Sequence, residues 1–163
     1  MTDNFIKKSS LFRGKRVDNG EWVIGYYCVI EGISYRIYTG YAKTVHGEFC
    51  PDWYEVIPET VSQYTGWTDK YRIKIFEGDI INITPNQTNR LMEVRWNDET
   101  VSWELTDIGT PTWEVNHLIN TISLGELELE ACYGEPISFI VGNIYDNPEL
   151  MEDLNDRRTY KIC

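Results

Sequence analysis

The chain of 163 residues and 19.1 kDa is long enough for one compact domain, or two small subdomains, to bury most of its apolar side chains without a metal or disulfide. Its net charge of −11 opposes nonspecific binding to phosphate backbones, and no apolar run approaches the roughly 20 residues of a membrane helix. The first ten residues lack the apolar core of a secretion signal, so a cytoplasmic location is expected.

Along the chain the dominant hydrophobic period is two, which predicts strands. Leu11 to Val17 and Trp22 to Ile30 are rich in β-branched and aromatic residues. Asp18-Asn19-Gly20 between them supplies side chains that tolerate positive φ, so the pair reads as a β-hairpin. Ile33 to Tyr38, Tyr41 to Val45 and Trp53 to Ile57 follow as short strands, punctuated by Gly32, Gly40, Gly47 and Pro51, with Pro58 ending the run. A second cluster comprises Asp79 to Thr84, Leu91 to Trp96, Val101 to Leu105, Thr112 to Val115 and Ile137 to Val141. Residues 85–89 form a polar loop and Asn97-Asp98-Glu99 a turn, while 116–131 fits no single pattern. One helix is expected over Asp146 to Leu154, with an Asx cap, Pro148 in the first turn and Arg157-Arg158 beyond its end. Strand spacing of this kind predicts a mainly β protein built on a small antiparallel barrel, with most of the six tryptophans in its core and Trp67 the exception.

Charge is unevenly placed. Through Gly78 there are ten Lys+Arg and ten Asp+Glu, whereas no Lys or Arg occurs between Arg95 and Arg157. The second half is therefore acidic, and the one local basic patch is Lys7 to Arg16. Cys28, Cys50, Cys132 and Cys163 form no Cys-x-x-Cys pair and read as free thiols. A metal site joining Cys28, His46 and Cys50 is the sharper alternative, but structural zinc favours four ligands in close pairs. Glu126, Glu128 and Glu130 would share one strand face, which reads as solvated carboxylates before it reads as a weak calcium site. With only His46 and His117 as histidines, no nucleophile motif and no Gly-rich phosphate loop, no catalytic residue, cofactor or metal is assigned and no enzyme is expected.

The stretch Tyr64-Thr-Gly-Trp-Thr-Asp-Lys-Tyr-Arg-Ile-Lys-Ile-Phe-Glu-Gly-Asp-Ile80 admits two readings. Glu77 and Asp79 around Gly78 could be paired carboxylates, but Glu-Gly-Asp at the mouth of a strand is also what a turn requires. The structural reading is favoured, with Gly66, Gly78 and Asp79 as scaffold. Trp67, Tyr71 and Arg72 combine residue types enriched at interface hot spots and are the candidate interaction residues.

Val56 to Gly66, Thr68-Asp-Lys70, Ile75-Phe-Glu-Gly-Asp-Ile-Ile81 and Val141-Gly-Asn-Ile-Tyr-Asp-Asn-Pro-Glu-Leu150, with Phe12-Arg13-Gly14 and Val94-Arg95-Trp96, resemble the YopX family of phage and prophage proteins. Asn143 and Pro148 join the structural motif on this basis. The resemblance spans nearly the whole chain and implies an SH3-like barrel and a phage or prophage origin, but no reaction. Where relatives often carry Asn-Gly after Asp-Lys, this chain has Tyr71-Arg72, so a wider hairpin with an exposed tip is expected. The expected organisation is one YopX-like domain over 1–163, with a β part at 9–66, a barrel at 67–150 and a helix end and tail at 151–163. Function is expected to be a non-catalytic protein-interaction module whose acidic half meets an unknown host or phage protein. The alternative is a nucleic-acid-binding barrel using Lys7 to Arg16, and an exposed barrel edge could support a homo-oligomer.

Overall fold

A computed structural model describes residues 11–83, 90–108, 121–123 and 138–151. It is mainly β, with two antiparallel sheets, a 3₁₀ turn at Pro58–Thr60 and one short α-helical segment that opens at 149–151. The chain divides into two compact units, 1–64 and 65–163.

In the first unit β1 (Phe12–Lys15), β2 (Trp22–Ile30), β3 (Ser34–Lys43) and β4 (Phe49–Glu55) form an antiparallel meander. The start of β5 (Ser62–Thr68) pairs with β1 on its other side. The expected hairpin forms, but β1 stops two residues early. Arg16 keeps the bonds that close the hairpin, its N–H donating to Glu21 O and its carbonyl accepting from Gly20 N, and also bridges Val56, while Val17 N donates to Glu55 O at the end of β4. Ile33 to Tyr38 and Tyr41 to Val45, expected as two strands, are one. Gly40, at φ +150°, lets the ladder slip by one residue between Tyr38 and Gly40 instead of ending it. β4 begins at Phe49 and runs through Pro51, which an edge strand tolerates because one side of its backbone has no strand to bond.

Alternation along these strands sends Val23, Ile37 and Val56 inward, where Phe12, Tyr27, Tyr35, Tyr54 and Val61 pack on them. Burial raises the Tyr27 phenol's pKa above its ordinary value. Gly14 is needed here because a Cβ would lie 3.1 Å from that of Val56.

The second unit contains the end of β5, β6 (Lys74–Phe76), β7 (Asp79–Ile83), β8 (Arg90–Asn97), β9 (Ser102–Asp107), β10 (Thr121–Ser123) and β11 (Ser138–Asn143). Five of these make a sheet in the order β10-β9-β8-β7-β11. No hydrogen bonding closes it between β10 and β11 among the described residues, so the sheet is open as described, not the closed barrel expected. Its core is Ile75, Ile81, Ile83, Met92, Val94 and Leu105, with Trp67, Trp103 and Ile140 partly buried against it. The described tryptophans are less buried than expected: Trp53 and Trp96 are exposed, Trp22, Trp67 and Trp103 are half-buried, and the fully buried apolar residues of both units are aliphatic or methionine. Thr112 to Val115 lies outside the described residues, as do Glu126, Glu128, Glu130 and His117.

Candidate interaction surface

The β5–β6 connection is a five-residue loop organised by one carboxylate. Asp69 is 4% exposed, and its Oδ1 accepts from Tyr71 N at 2.8 Å and Ile73 N at 2.9 Å. Its Oδ2 accepts from Ile140 N of β11 at 3.3 Å. Backbone bonds Asp69 N to Ile73 O and Arg72 N to Asp69 O, both 2.9 Å, close the loop, with Arg72 at φ +65°. An Asp side chain that accepts from the residue two positions on is the usual mimic of a backbone turn. Here it also ties the loop to a second strand.

The effect is to hold Tyr71 out, 66% exposed, beside Phe139 of β11 in an edge-to-face arrangement with centroids 6.4 Å apart. Lys70 Nζ stands 4.3 Å from the Phe139 centroid and 5.0 Å from that of Tyr71, within cation–π range. Ile73 and Val141 extend the exposed apolar surface. Arg72 is exposed at the tip, as expected. Trp67 does not join it: its ring packs on the Ile75–Leu105 core and stabilises the unit from within. Sequence pattern missed the second aromatic, Phe139, because it lies 68 positions away in the chain and only the β7–β11 pairing brings it to the tip.

The structural-motif residues meet in one place. Gly78, at φ +75°, donates its N–H to Val94 O and accepts from Ile144 N at 2.9 Å. A Cβ on it would stand 3.1 Å from Ile144 Cδ1. Asn143 Oδ1 accepts from Tyr145 N and Asp146 N, both at 3.0 Å, and Asn147 Oδ1 accepts from Asn143 N at 3.3 Å. Pro148 opens the helical turn, with Met151 N bonding to its carbonyl. The helix cap differs from expectation: Asn147 spends its carbonyl oxygen backward on Asn143 and its amide on Glu149. The two long motifs are therefore one interlocked corner. Gly66 is at φ +94°, and a Cβ added there would meet nothing within 4 Å, so it allows a conformation rather than a close contact.

The buried carboxylates have structural partners. Asp79 Oδ2 accepts from Phe76 N at 2.8 Å, and Glu93 accepts from Arg95 at 2.6 Å. That bond raises the Arg95 pKa further. Asp79 is thus a turn lock, not half of an exposed acid pair. Cys28 on β2 and Cys50 on β4 are exposed and separated by β3, and no group of three His, Cys, Asp or Glu is placed to hold a metal among the described residues. No helix among those residues is long and apolar enough to cross a membrane. In the first unit a shallow depression of about 290 Å³ is lined by Val17, Asp18, Trp53, Tyr54 and Glu55.

These features define a small, mainly β protein whose second unit carries an exposed tip of aromatic and cationic side chains. The family described as YopX protein matches residues 11–152, and the chain belongs to that family. A solved structure, that of protein EF1440 from Enterococcus faecalis, is similar with a TM-score of 0.50 and 20% identity, over 86% of this chain and 96% of that one. At that identity the likeness is one of fold. No curated protein matches the chain.

Proposed function

We propose that this protein is a non-catalytic interaction module of phage or prophage origin that binds a host or phage protein in the cytoplasm through the tip of its second unit. The observation that carries the reading is the Lys70–Tyr71–Phe139 cluster, held outward by the buried Asp69. An exposed aromatic fixed by its backbone loses little conformational freedom on binding, which is where affinity is otherwise spent. Tyrosine and arginine at such a position are the residue types that dominate binding energy at interfaces.

The net charge of the unit, as distinct from the cationic Lys70 and Arg72 of the tip itself, supports a basic partner. Residues 1–64 carry seven Lys+Arg against eight Asp+Glu, and 65–163 carry eight against eighteen, so the acidic excess belongs to the unit that bears the tip. Such a surface raises the encounter rate with a basic protein and makes binding weaken with salt. In this reading the second unit's five strands are the sheet of an SH3-like barrel, a scaffold that serves binding without chemistry.

The test is capture from host lysate with the tagged full chain, at low and high salt, with and without nuclease. A protein retained through nuclease and shed at high salt supports the reading. Bound material that vanishes with nuclease contradicts it.

A further inference from the structure

The two arginines of β8 are each bonded to a carboxylate: Arg90 donates to Asp107 Oδ2 at 2.6 and 2.9 Å, and Arg95 to Glu93 Oε2 at 2.6 Å. The tip departs from this. Lys70, Arg72 and Lys74 stand at alternate positions, all exposed, and none makes an ion pair or a side-chain hydrogen bond among the described residues. Lys70 rests only against the rings of Phe139 and Tyr71. The one acid of residues 68–76, Asp69, is buried and gives both oxygens to backbone N–H groups, and β11 beside it carries no charged residue. Three cations thus stay without a carboxylate in a unit whose sequence holds eighteen Asp+Glu. Arg72 keeps its place at φ +65°, a conformation that strains an L side chain and suits glycine.

We infer, resting on the reading of the tip as a protein-binding site, that the tip recognises an acidic residue beside an apolar one on its partner. The partner's Asp or Glu meets Lys70 and Arg72, and the neighbouring apolar side chain covers the exposed surface of Tyr71, Ile73 and Val141. Arginine offers a carboxylate two parallel N–H donors, and lysine adds a point charge with donors that can turn to meet it. Complementary charge of this kind fixes register and partner choice more than raw affinity. The unit's balance, eight Lys+Arg against eighteen Asp+Glu, disfavours a partner that is acidic throughout. The acid is therefore a local one on a neutral or basic protein, and the cationic tip and the acidic unit then serve different stages: the unit's charge draws the partner in, and the tip selects the segment. A nucleic-acid strand would also bring anions, but the same balance opposes it, and phosphates would leave the apolar rim of the tip uncovered.

The experiment is selection from a random peptide library displayed on yeast, with the full-length protein as bait, followed by fluorescence anisotropy of a peptide synthesised from the winners. Enriched peptides should carry an Asp or Glu adjacent to an apolar residue. Changing that acid to its amide should weaken binding about tenfold or more, as should Lys70→Gln and Arg72→Gly, while Lys70→Arg should keep it. Arg72→Gly should leave the melting temperature unchanged or raised, because glycine suits φ +65°, so its loss of binding is not loss of fold. Enriched peptides without acids, enrichment that persists on Arg72→Gly, or no enrichment at all overturns the inference. A labelled oligothymidine that binds wild type and not Arg72→Gly overturns it in favour of a phosphate ligand. The inference and the proposal it rests on fail separately. A lysate protein lost from Tyr71→Ala, with no acid-bearing peptide selected, removes the acidic determinant and keeps the tip as a protein-binding site; retention of that protein by Tyr71→Ala ends the proposal for the tip itself.

Discussion

Removing the Asp69 carboxylate is the perturbation whose cost follows most directly from the geometry. Three backbone N–H groups, those of Tyr71, Ile73 and Ile140, bond to it. Asp69→Ala strips all three of their acceptor; each unpaired buried donor costs about 1–3 kcal/mol, less where water can reach it. Tyr71 and Ile73 sit at an exposed tip, so water recovers part of their loss, and the total is about 3 kcal/mol. For a unit of this size that lowers the melting temperature by about 10 °C or more. Asp69→Asn keeps one acceptor oxygen for the two loop donors but sets an amide NH₂ against Ile140 N–H, and should cost about 1–2 kcal/mol. Urea unfolding followed by circular dichroism gives both values. Asp69→Ala within about 0.5 kcal/mol of wild type would show that the carboxylate does not organise the tip. Equal losses in the two variants would show that charge, not acceptor count, is what matters.

Three other outcomes are expected. Val101, a β-branched residue at φ +52° and exposed, is strained in the turn between β8 and β9, so Val101→Gly should stabilise by about 1 kcal/mol in thermal melts, relief of strain outweighing the added unfolded-state entropy. Gly25→Ala would place a Cβ 2.1 Å from the Tyr38 carbonyl oxygen, where only backbone movement can relieve it; a loss of about 3 kcal/mol is expected in urea unfolding, measured beside an Ile24→Ala control. Asp18 is held below the ordinary carboxylate range by its hydrogen bond to Arg16, so the pair's stabilisation is fully present above the unfolded carboxylate's pKa and fades as pH falls through the lowered folded value. An NMR titration of the Asp18 carboxyl should show that lowered pKa, and Arg16→Gln should return it upward.

How much of this was legible in the chain depended on whether the signal was local. The Asn19-Gly20 hairpin, the Asn97 turn and the β7 strand could be read because each rests on neighbours in sequence: Asn19 Oδ1 accepts from Glu21 N, and Asn97 Oδ1 from Glu99 N. Gly40 and Pro51 misled because breakers end a strand only where the ladder cannot bulge or lies away from an edge. β5 is not among the expected strands because Gly66 interrupts it, although Tyr64, Thr65, Trp67 and Thr68 favour a strand. For the candidate site, Tyr71 and Arg72 were legible from a departure in a motif, and Trp67 was misassigned because a glycine-flanked tryptophan does not reveal which face it occupies. Phe139 was invisible, since register between distant strands is set by whole-sheet pairing.

The most direct test is one capture experiment with wild type, Tyr71→Ala and, as a control at an exposed aromatic of the first unit, Tyr26→Ala as tagged full-length bait in host lysate, each with and without nuclease. The nuclease-resistant protein partner should be lost from Tyr71→Ala and kept by Tyr26→Ala. A partner retained equally by wild type and Tyr71→Ala, or lost only from Tyr26→Ala, would contradict the assignment of protein binding to the tip of the second unit.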